Sequence, residues 1–296
     1  MASTLIQVLS IVAPAFLLIA LGYGFSRHIQ NGNAALIKIS MGILVPAFAW
    51  EHLYRMKLEG SILADVLLSS IIVMLVPGLI AWVVFRTMNI SQQRGIYLPI
   101  MFMNSVNLPF PILAAAYGEE AIPFALMFYL TAFIGIFTLG LIIVSGGKEK
   151  GYFKIFREPV VYVVLFALLF NIGEVEVPEF INRSAHLLAQ ATIPMVLLAL
   201  GMQLSQVKIT ELKLSFIAVA IRFIGGALTG IFCVWLFRLE GLAYKVVILE
   251  SVMPCAVITS LVAEKYRAQS EIVASTILIS TILAIIVIPC TLILLG

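Results

Sequence analysis

Aspartate occurs once in this chain, at Asp65, so no intramembrane aspartyl dyad exists. The three histidines, His28, His52 and His186, are scattered and form no H-E-x-x-H metal site. No Walker A lysine loop is present, which argues against ATP hydrolysis. The three cysteines, Cys233, Cys255 and Cys290, all fall within apolar runs and imply no disulfide framework. Charge is scarce too. Asp, Glu, Lys and Arg make up 11% of the 296 residues, where a soluble domain carries about 25%. The net charge of +3 comes without a basic run suited to nucleic acid. These absences speak against an enzyme and against a nucleic-acid partner, and no cofactor is expected beyond a coupling ion.

What remains is apolar. Hydrophobic residues make up 62% of the chain, and mean hydropathy is +1.13. The apolar runs recur from end to end. They are too long for transmembrane strands, which need only about 9–11 residues, so an all-α membrane protein is expected. With roughly 20 apolar residues per span, ten transmembrane helices fall at about 4–26, 34–54, 61–85, 95–117, 121–145, 158–173, 185–204, 212–237, 243–263 and 270–295. The start, Met1-Ala-Ser-Thr-Leu-Ile, has no positive region, and the first run reads as a span rather than a cleaved signal.

Orientation follows from Lys and Arg in the loops. With the N-terminus outside, the cytoplasmic loops hold eleven: Arg27, Arg86, Arg94, Lys148, Lys150, Lys154, Arg157, Lys208, Lys213, Lys265 and Arg267. The outer loops hold five: Arg55, Lys57, Arg183, Arg238 and Lys245. Both termini are therefore expected outside. Lys38, Glu51, His52 and Asp65 lie near predicted span ends and read as interfacial, with Lys38 snorkelling.

Prolines mark an internal repeat. Pro46 and Pro194 are 148 residues apart, Asn104 and Glu250 146, Pro109 and Pro254 145. Within the halves, the proline spacings are 63 and 60. Two halves of five spans, 1–147 and 148–296, account for this. Five is odd, so the second half must be inverted. Inverted repeats with paired broken helices are the mark of secondary transporters, whose sites lie near the midplane. The predicted helix breaks are Pro46, Pro109, Pro111, Pro194 and Pro254, because proline removes a backbone donor and clashes with the preceding turn.

Polar residues at these breaks are the candidate site. Asn104, Ser105 and Asn107 sit halfway through span four, where a lipid-facing helix wants none of them. Glu250 and Ser251 sit before Pro254 in span nine. A lone carboxyl there is expensive unless paired, protonated or bound to a cation, so Glu250 is the ion-coupling candidate, for H+ or Na+. Arg222, deep in span eight, would either grip an anionic substrate through its fork or counter Glu250. Gln190, Thr192 and Gln203 flank Pro194 and could line the opposite wall, or bond between helices.

These landmarks resemble the auxin efflux carrier family, within the larger group that includes the bile-acid/sodium symporters. The matching stretches are Leu44-Val-Pro46-Ala-Phe, Asn104-Ser-Val-Asn-Leu-Pro-Phe-Pro-Ile-Leu-Ala-Ala-Ala-Tyr-Gly118, Ala191-Thr-Ile-Pro-Met-Val-Leu-Leu-Ala-Leu-Gly201-Met-Gln-Leu-Ser205, and Glu250-Ser-Val-Met-Pro-Cys-Ala-Val running on to Ala263-Glu-Lys-Tyr266. The resemblance implies that spans four and nine cross at their breaks. It implies a scaffold of spans 1, 2, 6 and 7, a moving transport domain of spans 3–5 and 8–10, and a homodimer through the scaffold. It implies an organic anion, a carboxylate or auxin-like, as substrate. The central loop of about a dozen residues is far shorter than the hydrophilic loop common in plant auxin carriers, which points to a compact, prokaryote-like member in a bacterial inner (plasma) membrane. The expected function is secondary transport by alternating access, elevator-like, as a symporter or exchanger with H+ or Na+. The alternative is a ligand sensor or channel built on the same scaffold.

Overall fold

The structure is a computed structural model that describes residues 2–28, 32–54, 60–90, 94–147, 159–207 and 209–296. Arg55, Lys57, Lys148, Lys150, Lys154, Arg157 and Lys208, used above for orientation, lie outside the described residues.

Helix dominates because a chain in hydrocarbon must satisfy its own backbone groups. In chain order the helices are α1 (Ala2–Phe25), α2 (Gly32–Ile39), α3 (Val45–Tyr54), α4 (Gly60–Thr87), α5 (Tyr97–Met101), α6 (Pro109–Tyr117), α7 (Ile122–Gly135) and α8 (Leu141–Ser145). The second half continues with α9 (Pro159–Ile172), α10 (Glu179–Leu204), α11 (Leu212–Ala220), α12 (Gly226–Phe237), α13 (Gly241–Ser251), α14 (Ile258–Lys265) and α15 (Ser270–Leu295). Single π-helical turns join α2 to α3 (Ser40–Leu44), α7 to α8 (Ile136–Gly140) and α11 to α12 (Ile221–Gly225) without stopping the helix.

Among the described residues, seven helical segments are long and apolar enough to cross a membrane: Ile6–Phe25, Ala35–Tyr54, Ser61–Thr87, Glu119–Ser145, Glu179–Leu204, Leu212–Phe237 and Ser270–Leu295. The other three expected spans differ. The sixth is the shorter helix α9, and the fourth and ninth are each broken in two, α5 with α6 and α13 with α14.

Two of the predicted breaks do not occur. Pro194 lies inside the unbroken helix α10, and Pro46 sits in the first turn of α3. The π-helical turn Ser40–Leu44 absorbs the distortion before Pro46 by lengthening the hydrogen-bond ring. The hydroxyl of Thr192 donates to the carbonyls of Leu44 and Leu188 (both 3.0 Å), tying α10 to the end of that turn. Pro111 falls within the first turn of α6, where a proline is tolerated. Pro109 opens α6 and Pro254 lies between α13 and α14, so these two mark real breaks.

The most extensive packing falls in two sets, which α1 links through its contacts with α15 and α6. α1 lies along α10, and α3 packs against α9 and α10. Separately, α4 packs against α7 and α12, α11 against α15, and α12 against α13. The α1–α10 contact is backbone against backbone. A Cβ on Gly201 would strike the Ile19 carbonyl, and one on Gly22 would strike the Leu198 carbonyl. Small residues let membrane helices approach this closely. Gly201→Val is therefore expected to destabilise the protein by about 1–3 kcal/mol, the usual cost of overpacking, read as a lower melting temperature in detergent. Gly24→Ala on the facing helix α1 meets nothing within 4 Å and should leave that temperature unchanged.

Candidate functional site

The two broken spans cross and pair. Met103 and Cys255 form an isolated antiparallel bridge. Around it, the Asn104 N–H donates to the Pro254 carbonyl (2.7 Å) and the Ala256 N–H to the Phe102 carbonyl (2.9 Å). Ser280 of α15 adds its hydroxyl as acceptor for the Cys255 N–H (3.1 Å). Irregular backbone at this depth survives because each break supplies the other's partners.

A cavity of about 330 Å³ opens at this crossing. One wall is the span-four break, Met103 to Asn107. Another is Ala256 to Ile258, at the start of α14. Tyr129, Phe133, Ile136 and Phe137 supply an aromatic side, and Lys38, Met41, Gly42 and Gln203 face them from α2, the first π-helical turn and α10. Asn107, two residues before α6, and Ile258, the first residue of α14, line the cavity, so the N-terminal ends of both half-helices lie at or next to it. A second cavity, of about 410 Å³, shares Ile37, Gln203, Val257 and Leu261 with the first and reaches the exposed Glu264 and Glu271.

Asn104 is 4% exposed. Its Oδ1 accepts the N–H of Asn107 (3.0 Å), an Asx turn that shapes the entry to α6. Among the described residues its Nδ2 has no partner, and neither does Oδ1 of Asn107. A buried amide donor left unmatched beside a cavity is costly unless a ligand completes it.

The far side of the cavity is packed with rings. Phe48 of α3 stacks on Phe110 of α6, with centroids 5.0 Å apart, and Phe110 meets Tyr129 edge-on at 6.4 Å. The row continues through Phe133 to Phe137. It runs from α3 through α6 to α7 and the π-helical turn after it, and Tyr129, Phe133 and Phe137 of the row line the cavity.

Of the sequence candidates, Asn104, Ser105, Asn107 and Gln203 line the cavity together, whereas Thr192, Arg222, Glu250 and Ser251 do not. Glu250 is fully buried in the last turn of α13, and neither carboxyl oxygen has a hydrogen-bond partner among the described residues. Arg222 is equally buried. Its Nη1 donates to the Ile100 carbonyl (3.2 Å) and its Nη2 to the Ser251 carbonyl (2.6 Å), so its partners are backbone rather than the Glu250 side chain. Gln190 bonds to His186 (3.0 Å), which in turn meets Glu51 (3.2 Å), away from the cavity. Lys38, read from the sequence as interfacial, lines the cavity while keeping its side chain exposed.

Crossed, broken apolar spans around a largely apolar cavity with Asn104, Ser105 and Asn107 at its break are the architecture expected of a membrane transporter. Residues 148–292 match the family model described as membrane transport protein. The chain is 26% identical, over 97% of its own length and 95% of the other's, to an uncharacterized transporter of Methanothermobacter thermautotrophicus. It is 28% identical, over 67% of each chain, to an uncharacterized transporter of Methanocaldococcus jannaschii. It is 25% identical to auxin efflux carrier component 8 of Arabidopsis thaliana, over 46% of this chain and 39% of that one. The resemblance to auxin efflux carriers is borne out.

Proposed function

We propose that this chain is a secondary active transporter of a small organic anion, a carboxylate or auxin-like acid, working by alternating access in an elevator-like manner. The observation that carries this reading is the unmatched Asn104 Nδ2 at a cavity bounded by two half-helix N-termini and Lys38. A carboxylate accepts hydrogen bonds, is drawn to helix N-termini, and pairs with a lysine. The aromatic side suits an apolar or ring-bearing body. The printed name of the Arabidopsis relative agrees with such a substrate.

Alternating access needs two groups of helices that move past one another. We assign α1, α2–α3, α9 and α10 to a scaffold that also holds a homodimer, and the remaining helices to a transport domain. The antiparallel sense of the Met103–Cys255 bridge supports ten spans in two inverted halves. By the lysine and arginine count, the Glu264 mouth faces the cytoplasm and both termini lie outside. The captured state is then inward-open, sealed outside by Phe48 on Phe110. Glu250 is the coupling group.

Purified protein in liposomes is expected to take up small carboxylates saturably. Uptake that rises linearly with concentration, or binding without flux, would count against a carrier and favour a channel or sensor. Lys38→Gln is expected to raise KM about two- to fivefold with kcat unchanged, the scale of a solvent-screened ion pair. An unchanged KM would remove Lys38 from the site.

A further inference from the structure

We propose that Arg222 is a resident cation: its guanidinium fills the place between the two broken spans that a bound metal cation would otherwise take, so the protein works without Na+. Ile100 lies one residue before the end of α5, and Ser251 is the last residue of α13. Their carbonyls are among those a helix end leaves without intrahelical donors, and they stand at the negative ends of two dipoles. In broken-helix transporters, such carbonyls are what coordinate a coupling sodium ion. Here Nη1 and Nη2 hold one each, at 3.2 and 2.6 Å.

The surroundings are built for this guanidinium. Arg222 sits on the π-helical turn Ile221–Gly225, which turns it inward between the half-helices. Such turns mark functional positions in helices. Gly226 follows, and a Cβ there would strike both the Ser251 carbonyl and Nη2 of Arg222. A Cβ on Gly230 would strike the Ser251 hydroxyl. The Gly226-Ala-Leu-Thr-Gly230 pair thus lets α12 close on the end of α13 and leaves room for the fork. Nothing at this point is exposed: Arg222, Glu250 and Ser251 are all 0% accessible.

Charge completes the case. The ionisable groups acting on Arg222 through space are Cys255 and Glu250. The guanidinium already supplies the positive charge that a carboxylate at Glu250 requires. A sodium ion added beside it would meet like charge in a dry site, where repulsion is barely screened. The fixed cation also joins the first half, through Ile100, to the second, through Ser251, so Arg222 is a positioning residue for the crossing rather than a substrate ligand.

Melting temperature in detergent tests the occupancy without reference to transport; the sodium consequence rests on the transporter reading above. The wild-type protein should melt at the same temperature in sodium chloride and choline chloride of equal strength. Arg222→Ala should melt several degrees lower and regain part of that loss with millimolar guanidinium, but not with choline. A wild-type protein stabilised by sodium over choline, or an Arg222→Ala protein that guanidinium leaves unchanged, overturns the proposal. Should Arg222→Ala fail to fold, Arg222→Lys and Arg222→Gln decide the matter. Lys, which keeps the charge, should melt above Gln, which keeps only donors, and the reverse order overturns it. In liposomes, carboxylate uptake should persist when choline replaces sodium. Uptake that requires sodium overturns the proposal, whereas no uptake in either salt defeats the transporter reading and leaves the melting result to judge the clamp.

Discussion

Asn104→Ala is expected to lower kcat/KM for carboxylate uptake by about tenfold to a hundredfold. The Nδ2 donor of Asn104 is buried and unmatched, so a bound carboxylate would take it up directly. Hydrogen bonds to charged groups contribute about 1.5–3 kcal/mol, and 1.4 kcal/mol is a factor of about ten in an equilibrium constant. The alanine variant also loses the Oδ1 that caps Asn107, so a fall in stability could masquerade as a fall in binding. Asn104→Asp separates the two. It keeps an acceptor for the Asn107 N–H, and so most of the turn, but replaces the donor by a second oxygen that repels an anion. The expected outcome is near-native melting with uptake lost as completely as in the alanine variant. Uptake preserved in the Asp variant would show that Asn104 serves only the turn.

Much of this arrangement is written plainly in the sequence, and for a physical reason. Asn104, Asn107 and Pro109 violate the apolar pattern of a span, and so do Glu250 and Pro254. Hydrocarbon penalises such residues so heavily that their presence marks a break. The nearly constant offset between the pairs anticipated a partner for each break, and the partner is the other one, through Asn104 to Pro254 and Ala256 to Phe102.

What stayed hidden has backbone or context as its cause. Arg222 invited a search for a side-chain partner, yet its fork ends on the carbonyls of Ile100 and Ser251, and a carbonyl leaves no trace in residue identity. Pro46 and Pro194 look like Pro109 and Pro254. Nothing local tells a proline accommodated by a π-helical turn, or carried inside a continuous helix, from one that ends a helix. Lys38 looked like a residue at a span's end, and it is exposed, but the exposure is to a cavity. Nothing in the sequence pairs Phe48 with Phe110, and their stacking between α3 and α6 depends on how those helices pack.

Glu250→Gln is expected to abolish the stimulation of uptake by a proton gradient while leaving carboxylate exchange across the membrane intact. Glu250 has no exposed surface, and both its oxygens lack partners, so no local network would be broken by an amide of the same shape. The amide forfeits no hydrogen bond, but it leaves the buried Arg222 guanidinium without its facing carboxylate, and removing one partner of a buried charge pair costs stability, so the variant should fold but melt lower than wild type. The charge acting on Glu250 through space is Arg222, which stays in place in the variant. Arg222 therefore remains clamped on Ile100 and Ser251, and the crossing keeps its geometry. What the variant loses is the capacity to change charge as the transport domain moves, and a carrier without that capacity can still exchange one anion for another. The measurement is uptake of labelled carboxylate with and without an imposed pH difference, alongside counterflow at equal pH. Gradient stimulation that survives in Glu250→Gln would take the coupling role away from this residue. Loss of counterflow together with gradient stimulation, in a protein that still folds and unfolds cooperatively, would instead place Glu250 among the groups that the substrate itself requires.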